Sequence, residues 1–182
     1  MKKGRILLFN GTSSAGKTTL AWEMQTYAPS YWYWLPVDHF LDVVPVQQWD
    51  NDENEEGYRF AVDLYHDCIK AVCDQGKDVI ADTVICDEYT LSSFTKRLKP
   101  YNVILVKITC PVEELNKREA ARGDRDIGLA ASQINTLVPH EYDLTVDTYA
   151  QSTKECFNQI LGLLDKPEEH TAFKKLTEKS ED

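Results

Sequence analysis

Apolar residues in this chain fall into two patterns that trade places several times. Short, nearly unbroken apolar runs alternate with longer stretches in which apolar positions recur every three or four residues. Residues 5–10 predict a first strand, and residues 17–27 a helix that Pro29 and Ser30 break. The aromatic run 31–36 predicts a second strand. From 58 to about 74, Phe60, Ala61, Leu64, Tyr65, Cys68 and Val72 stand at helical spacing, with Gly76 as a stop. Residues 78–82 predict a strand, 91–98 a helix ending before Pro100, and 101–109 the clearest later strand. Pro111 stands where a proline can open the next helix, which carries EELNKREAARGDR. Residues 144–147 form a short last strand, and Ser152 with Glu155 makes a capping box for a helix running to about 164. Strands alternating with helices imply β-α units joined in a parallel sheet, so the fold class is α/β.

Two segments depart from this alternation. Residues 46–57, VQQWDNDENEEG, hold five acidic groups and no basic one, which suits a solvated insertion. The polar, charged stretch 166–182 reads as a tail that frays at its end. The remainder, 1–165, reads as a single domain, as expected for 182 residues of which 42% are apolar.

Charge narrows the partners. Thirty acidic against 20 basic residues give a formal charge of -10, which repels nucleic acids and anionic membranes over most of the surface. No apolar run approaches the ~18 residues of a membrane span. The five cysteines are odd in number and lack C-x-x-C spacing, so the reading is reduced thiols in a cytoplasm. His39, His66, His140 and His170 show no metal-ligand spacing with them. A nucleotide remains compatible with this charge, because a triphosphate needs only a local cluster of backbone N–H groups and a few cations.

That cluster is written between the first strand and the first helix. Gly11-Thr12-Ser13-Ser14-Ala15-Gly16-Lys17-Thr18 fits the phosphate-binding motif G-x-x-x-x-G-K-[ST] in the strand-to-helix context it requires. Its backbone amides and the helix N-terminus would surround phosphate oxygens, with Thr19 continuing the helix start. Lys17 would reach the β and γ phosphates of ATP, and the Thr18 hydroxyl would complete a Mg2+ shell. Asp82, at the end of a strand, suits either a second magnesium contact or a turn cap.

Arg118, Arg122 and Arg125 are spaced four and three apart, which aligns them on one face of a continuing helix. They fit a lid over the nucleotide at about 118–128, with Gly123 as its bend, or a solvated face pairing with Glu113, Glu114 and Glu119. Asp38 follows the second strand at the carboxyl edge of the sheet, where ligands of open α/β folds bind. It suits a general base for an attacking hydroxyl or an N-cap for 39–43, and Asp42 competes one helical turn later. Tyr31, Trp32, Tyr33, Trp34 and Trp49 fit an aromatic acceptor pocket or the core.

Taken together, ILLFNGTSSAGKTTLA, VDHFLDVVP, VIADTVI, REAARGDRDIG and HEYDLTVDTYAQSTKEC resemble, in the same order, the chloramphenicol phosphotransferase family, P-loop kinases that phosphorylate a hydroxyl of an antibiotic. The resemblance implies a three-layer P-loop kinase fold with a central parallel sheet and an arginine-bearing lid. It makes Asp38 the base, Lys17 and Thr18 the phosphate and magnesium contacts, and Arg122 and Arg125 lid contacts to nucleotide. The function expected is transfer of the γ-phosphate of ATP, with Mg2+, to a hydroxyl of a small molecule. A shikimate- or nucleoside-type metabolic kinase and a nucleotide-dependent switch are the alternatives. Against a guanine-specific switch, Asn116-Lys117-Arg118-Glu119 lacks the aspartate of an N-K-x-D element.

Overall fold

The computed structural model describes residues 2–49, 54–122 and 128–179. Five strands, β1 (Arg5–Asn10), β2 (Trp32–Pro36), β3 (Asp78–Thr83), β4 (Asn102–Thr109) and β5 (Leu144–Asp147), form one sheet in the order β2-β3-β1-β4-β5. Every pairing is parallel, with Leu8 of β1 level with Ala81 of β3 and Leu105 of β4. Helices cover both faces, which is why Ile6, Leu7, Leu8 and Phe9 can all be apolar and fully buried rather than alternating.

The helices are α1 (Lys17–Tyr27), α2 (Asp38–Leu41), α3 (Val46–Trp49), α4 (Asn54–Asp74), α5 (Glu88–Leu98), α6 (Val112–Arg122), α7 (Leu129–Ile134), α8 (Thr153–Leu164) and α9 (Ala172–Lys179). One core cluster joins α1 and α8 to one sheet face through Leu20, Met24, Cys156 and Ile160. The other joins α4 and α5 to the opposite face through Tyr65, Ile69, Phe94 and Leu98. The order in which strands are added reverses about β1: β2 and β3 lie on one side of it, and β4 and β5 on the other. The crevice at the carboxyl ends of the strands at such a switch point is where open α/β folds hold ligands.

The strands expected from the sequence are all present, and α8 starts with the anticipated capping box. Three expectations change. The acidic stretch 46–57 is not a loop throughout: Val46–Trp49 is helical and Asn54 begins α4, while 50–53 lie outside the described residues. Glu55 and Glu56 fall in the first turn of α4, where the helix dipole favours negative charge. The face that α4 buries is Ala61, Val62, Tyr65, His66, Ile69 and Cys73, whereas Phe60 and Leu64 are exposed. The stretch after α8 is also ordered further than expected. Phe173 of α9 is buried and meets Phe94 edge-on at 5.1 Å, although residues 180–182 lie outside the described set.

Candidate active site

The loop from Gly11 to Gly16 leaves β1 and returns as α1, and its two glycines are required by backbone geometry. A Cβ at Gly11 would stand 2.3 Å from the Ile108 carbonyl oxygen, and Gly16 has φ +96°, in the left-handed region. Ser14 is also left-handed, at φ +58°. The curled backbone brings Lys17 under the loop, buried, with Nζ donating to the Thr12 carbonyl at 2.8 Å.

Next to it, the Thr18 hydroxyl donates to Asp82 Oδ2 at 3.2 Å, which brings together the start of α1 and the end of β3. Asp82 is buried, and burial raises its pKa against the lowering effects of Lys17 and the Thr18 hydrogen bond. The nearby Asp38 carboxylate adds to the rise. Asp38 arrives there because Val37 N–H bonds the Asp82 carbonyl at 2.9 Å, joining the ends of β2 and β3. Val37, not Asp38, occupies the N-cap position of α2, so the capping alternative for Asp38 does not apply. Both Asp38 and Asp82 line a cleft of about 800 Å³ together with Lys17 and Thr18, and Asp42 does not line it.

The aromatic residues of β2 divide. Trp34 lines the cleft, Trp32 is buried against the Arg5 guanidinium, and Tyr31 and Tyr33 are exposed away from it. Trp49 does not line it either.

Arg118 makes the expected pairing with an acidic residue of its own helix and also reaches the phosphate loop. It pairs with Glu114 at 3.2 Å, and its guanidinium also reaches Thr148 Oγ1 at 3.0 Å and the Ser14 carbonyl at 3.4 Å. Thr148 in turn donates to the Ala15 carbonyl at 2.7 Å, so Arg118 and Thr148 buttress the phosphate loop from outside. Arg122 lines the cleft at the end of α6. Arg125 and Gly123 lie outside the described residues. Glu119 does not lie on a solvated face. It is fully buried and accepts from the backbone N–H groups of Gly128, at 2.9 Å, and Ala130, at 2.7 Å.

Sequence reasoning missed several side chains of the cleft, Gln133 and His66 among them. Gln133, on the unpredicted short helix α7, accepts the Ser13 backbone N–H on Oε1 at 2.8 Å. His66 lines the cleft from α4 with Tyr58, Val62 and Tyr65. The spacing 58, 62, 65, 66 is one helical stripe, and this was the legible signal; for Gln133 the sequence carries none.

The groups present fit a nucleotide with its metal. The Thr18 hydroxyl and Asp82 carboxylate are the hard oxygen donors that magnesium takes, with water completing its shell. The Ser14 hydroxyl, in the phosphate loop, is buried and has no hydrogen-bond partner among the described residues, as expected of a group that a ligand or its water satisfies. No cluster of three or more His, Cys, Asp or Glu side chains suited to a metal occurs among the described residues. Two protein donors, Thr18 and Asp82, suit a metal that arrives with phosphates.

A parallel sheet with this loop and cleft at its carboxyl edge defines a P-loop O-phosphotransferase, a small-molecule kinase. The comparisons agree at the level of fold. The Mycobacterium tuberculosis APS kinase in complex with AMPPNP and APS matches with a TM-score of 0.69 at 15% identity, covering 91% of this chain and 100% of that one. A gluconokinase from Sinorhizobium meliloti gives 0.64 at 15% identity, covering 91% and 93%. The chain belongs to the chloramphenicol phosphotransferase-like protein family, whose model matches residues 4–165. A relative in Mycobacterium tuberculosis, named "Putative O-phosphotransferase", is 29% identical over 184 residues, covering 88% of this chain and 82% of its own. Among the described residues no helix is long and apolar enough to cross a membrane.

Proposed function

We propose that this protein transfers the γ-phosphate of ATP, with Mg2+, to a hydroxyl of a small molecule, a chloramphenicol-like antibiotic being one candidate acceptor. The observation that carries the reading is the convergence of Lys17, Thr18, Asp82 and Asp38 on one cleft at the end of β1, β2 and β3.

In this reading the amides of the loop and Lys17 hold phosphate oxygens, and Thr18 with Asp82 hold the metal. The metal, when bound, offsets charge on the phosphates. Asp38 stands on the cleft wall, and in this reading accepts the proton of the attacking hydroxyl as it approaches phosphorus. Arg122, from the end of α6, adds positive charge on the same cleft, where charge spreads over the transferring group. Arg125 takes the same role in this proposal.

The test is incubation with ATP, Mg2+ and a panel of small alcohols including chloramphenicol, following phosphorylated product by mass for the wild type and Asp38→Asn. Product from the wild type and almost none from the variant supports the reading. Nucleotide turnover that ignores every small alcohol but responds to a protein partner would replace it with a regulatory switch.

A further inference from the structure

One wall of the cleft is the α4 stripe of Tyr58, Val62, Tyr65 and His66. Two of its three polar groups are already engaged. The Tyr58 hydroxyl lies 2.9 Å from both Asp87 Oδ2 and Thr90 Oγ1, and the Tyr65 hydroxyl donates to the Leu35 carbonyl at 3.0 Å. His66 is different, because only one of its ring nitrogens is engaged.

That nitrogen is Nδ1, 2.8 Å from Ser93 Oγ. A count of protons around Ser93 fixes who donates. Ser93 Oγ lies 2.7 Å from Asp63 Oδ1, and Asp63 is a carboxylate, ion-paired with Arg97 at 2.9 Å. Burial alone would raise the Asp63 pKa, but hydrogen bonds from Ser93 and Tyr89 and the Arg97 charge bring it below its ordinary value. A carboxylate only accepts, so the single Ser93 proton must point to Asp63; otherwise two oxygens would face each other at 2.7 Å with no proton between them. The Ser93 oxygen then accepts from Arg97 Nη1, at 3.0 Å, and from His66. His66 therefore carries its proton on Nδ1.

Burial and the nearby Arg97 guanidinium push the His66 pKa down to about 4, so near neutral pH the ring holds no second proton. Nε2 is then a bare lone pair. Only Nδ1 of the ring has a hydrogen-bond partner among the described residues, and the residue, although 1% exposed, is part of the cleft lining. The ring is held in place by Tyr65 and Phe94, with centroids at 5.6 and 5.7 Å.

We propose that His66 is a specificity-determining residue of the acceptor site, whose Nε2 receives a hydrogen bond from a second hydroxyl or an amide N–H of the acceptor molecule. This rests on the kinase reading above and narrows it: the substrate carries at least one such donor beside the hydroxyl that is phosphorylated. A carboxylate or phosphate placed at this wall would meet a lone pair and be rejected, and a simple monoalcohol would leave Nε2 unsatisfied.

The test compares chloramphenicol, uridine and glycerol with versions in which the donors other than the reacting hydroxyl are methylated, and with propan-1-ol, using ATP and Mg2+. The expected result is kcat/KM at least about tenfold higher for donor-bearing compounds. His66→Phe should lose that preference mainly through KM for the acceptor, with KM for ATP unchanged, and His66→Gln, whose Oε1 can accept, should retain part of it. Nitrogen-15 spectra of the wild-type ring should show Nδ1 protonated and Nε2 bare at neutral pH, a readout that needs no variant to fold and no nucleotide. A proton on Nε2 overturns the proposal. So does a wild-type protein that binds ATP yet phosphorylates none of the donor-bearing compounds, or treats them and their methylated versions alike. A protein that binds no ATP overturns the kinase reading and this proposal together.

Discussion

Ser13 and Gln133 are joined by a 2.8 Å hydrogen bond from a phosphate-loop amide to a side-chain carbonyl that lies 120 positions further along the chain. The amide that would meet an anionic oxygen is thus held by a neutral one. Gln133→Ala should free that donor. Because a single hydrogen bond contributes about 0.5–1.5 kcal/mol net, the Kd for ATP should fall about two- to tenfold in isothermal titration. A rise in Kd of similar size would show instead that Gln133 contacts the nucleotide.

Asp38→Asn tests the base. The change keeps shape and removes the proton acceptor, so kcat for any acceptor alcohol should fall by about 10²–10⁴, the range of general base catalysis. KM for ATP should stay within about threefold, because the phosphate contacts lie on the loop and α1. Equal kcat in both proteins would leave Asp38 a bystander.

Glu119 is the stability test near the site. Its two carboxylate oxygens hold the backbone of Gly128 and Ala130 at the start of α7, and the side chain is fully buried. Glu119→Ala leaves two donors unsatisfied, each worth about 1–3 kcal/mol when buried. Loss of stability in urea unfolding should fall in that range or above, and Glu119→Gln, which retains one acceptor oxygen, should lose less.

The contrast between Glu119 and Lys17 shows what the chain makes legible. The phosphate loop, the five strands and the capping box of Ser152 were readable because each rests on contacts within a few residues: a turn, a run, a helical first turn. Asp38 was placed correctly at the carboxyl edge because it follows a strand directly. Glu119 read as a surface charge because helical spacing cannot tell which face will meet a segment nine or eleven residues on. Gln133 meets a partner 120 positions away, a distance that no local pattern encodes, whereas His66 stands on the helical stripe with 58, 62 and 65 and was legible there. The buried face of α4 was misjudged for a related reason: Phe60 and Leu64 satisfy helical periodicity as well as Val62 and Ile69 do, and only the sheet decides between them.

The neutral state of His66 has a measurable effect on stability. Its folded pKa of about 4 lies below the ordinary 6.5, so between these values the unfolded chain binds a proton that the folded one does not. Its contribution is fully present above pH 6.5 and is lost as pH falls toward about 4. At full extent this is on the order of 3 kcal/mol. Urea unfolding across this pH range should show a steeper fall for the wild type than for His66→Phe. Parallel curves would mean that the ring titrates normally in the folded protein.

Asp82 works in the opposite sense. Burial raises its pKa above the ordinary 3.8, so as pH rises from that value the folded state gives up its proton later than the unfolded chain. Stability is therefore greatest below 3.8 and is lost as pH climbs through the folded pKa, which leaves a buried charge at neutral pH in the protein without ligand. Asp82→Asn removes that charge and keeps an acceptor for the Thr18 hydroxyl. It should raise the melting temperature of the free protein near neutral pH. The same change removes the carboxylate proposed to hold the metal, so Mg2+-dependent phosphoryl transfer should fall at least about 100-fold. The thermal stabilisation that Mg2+ adds in the presence of ATP should shrink with it. A variant that gained stability yet kept full activity would show that Asp82 serves the fold alone; one that lost both would show that its charge is already compensated by Lys17 before any ligand arrives.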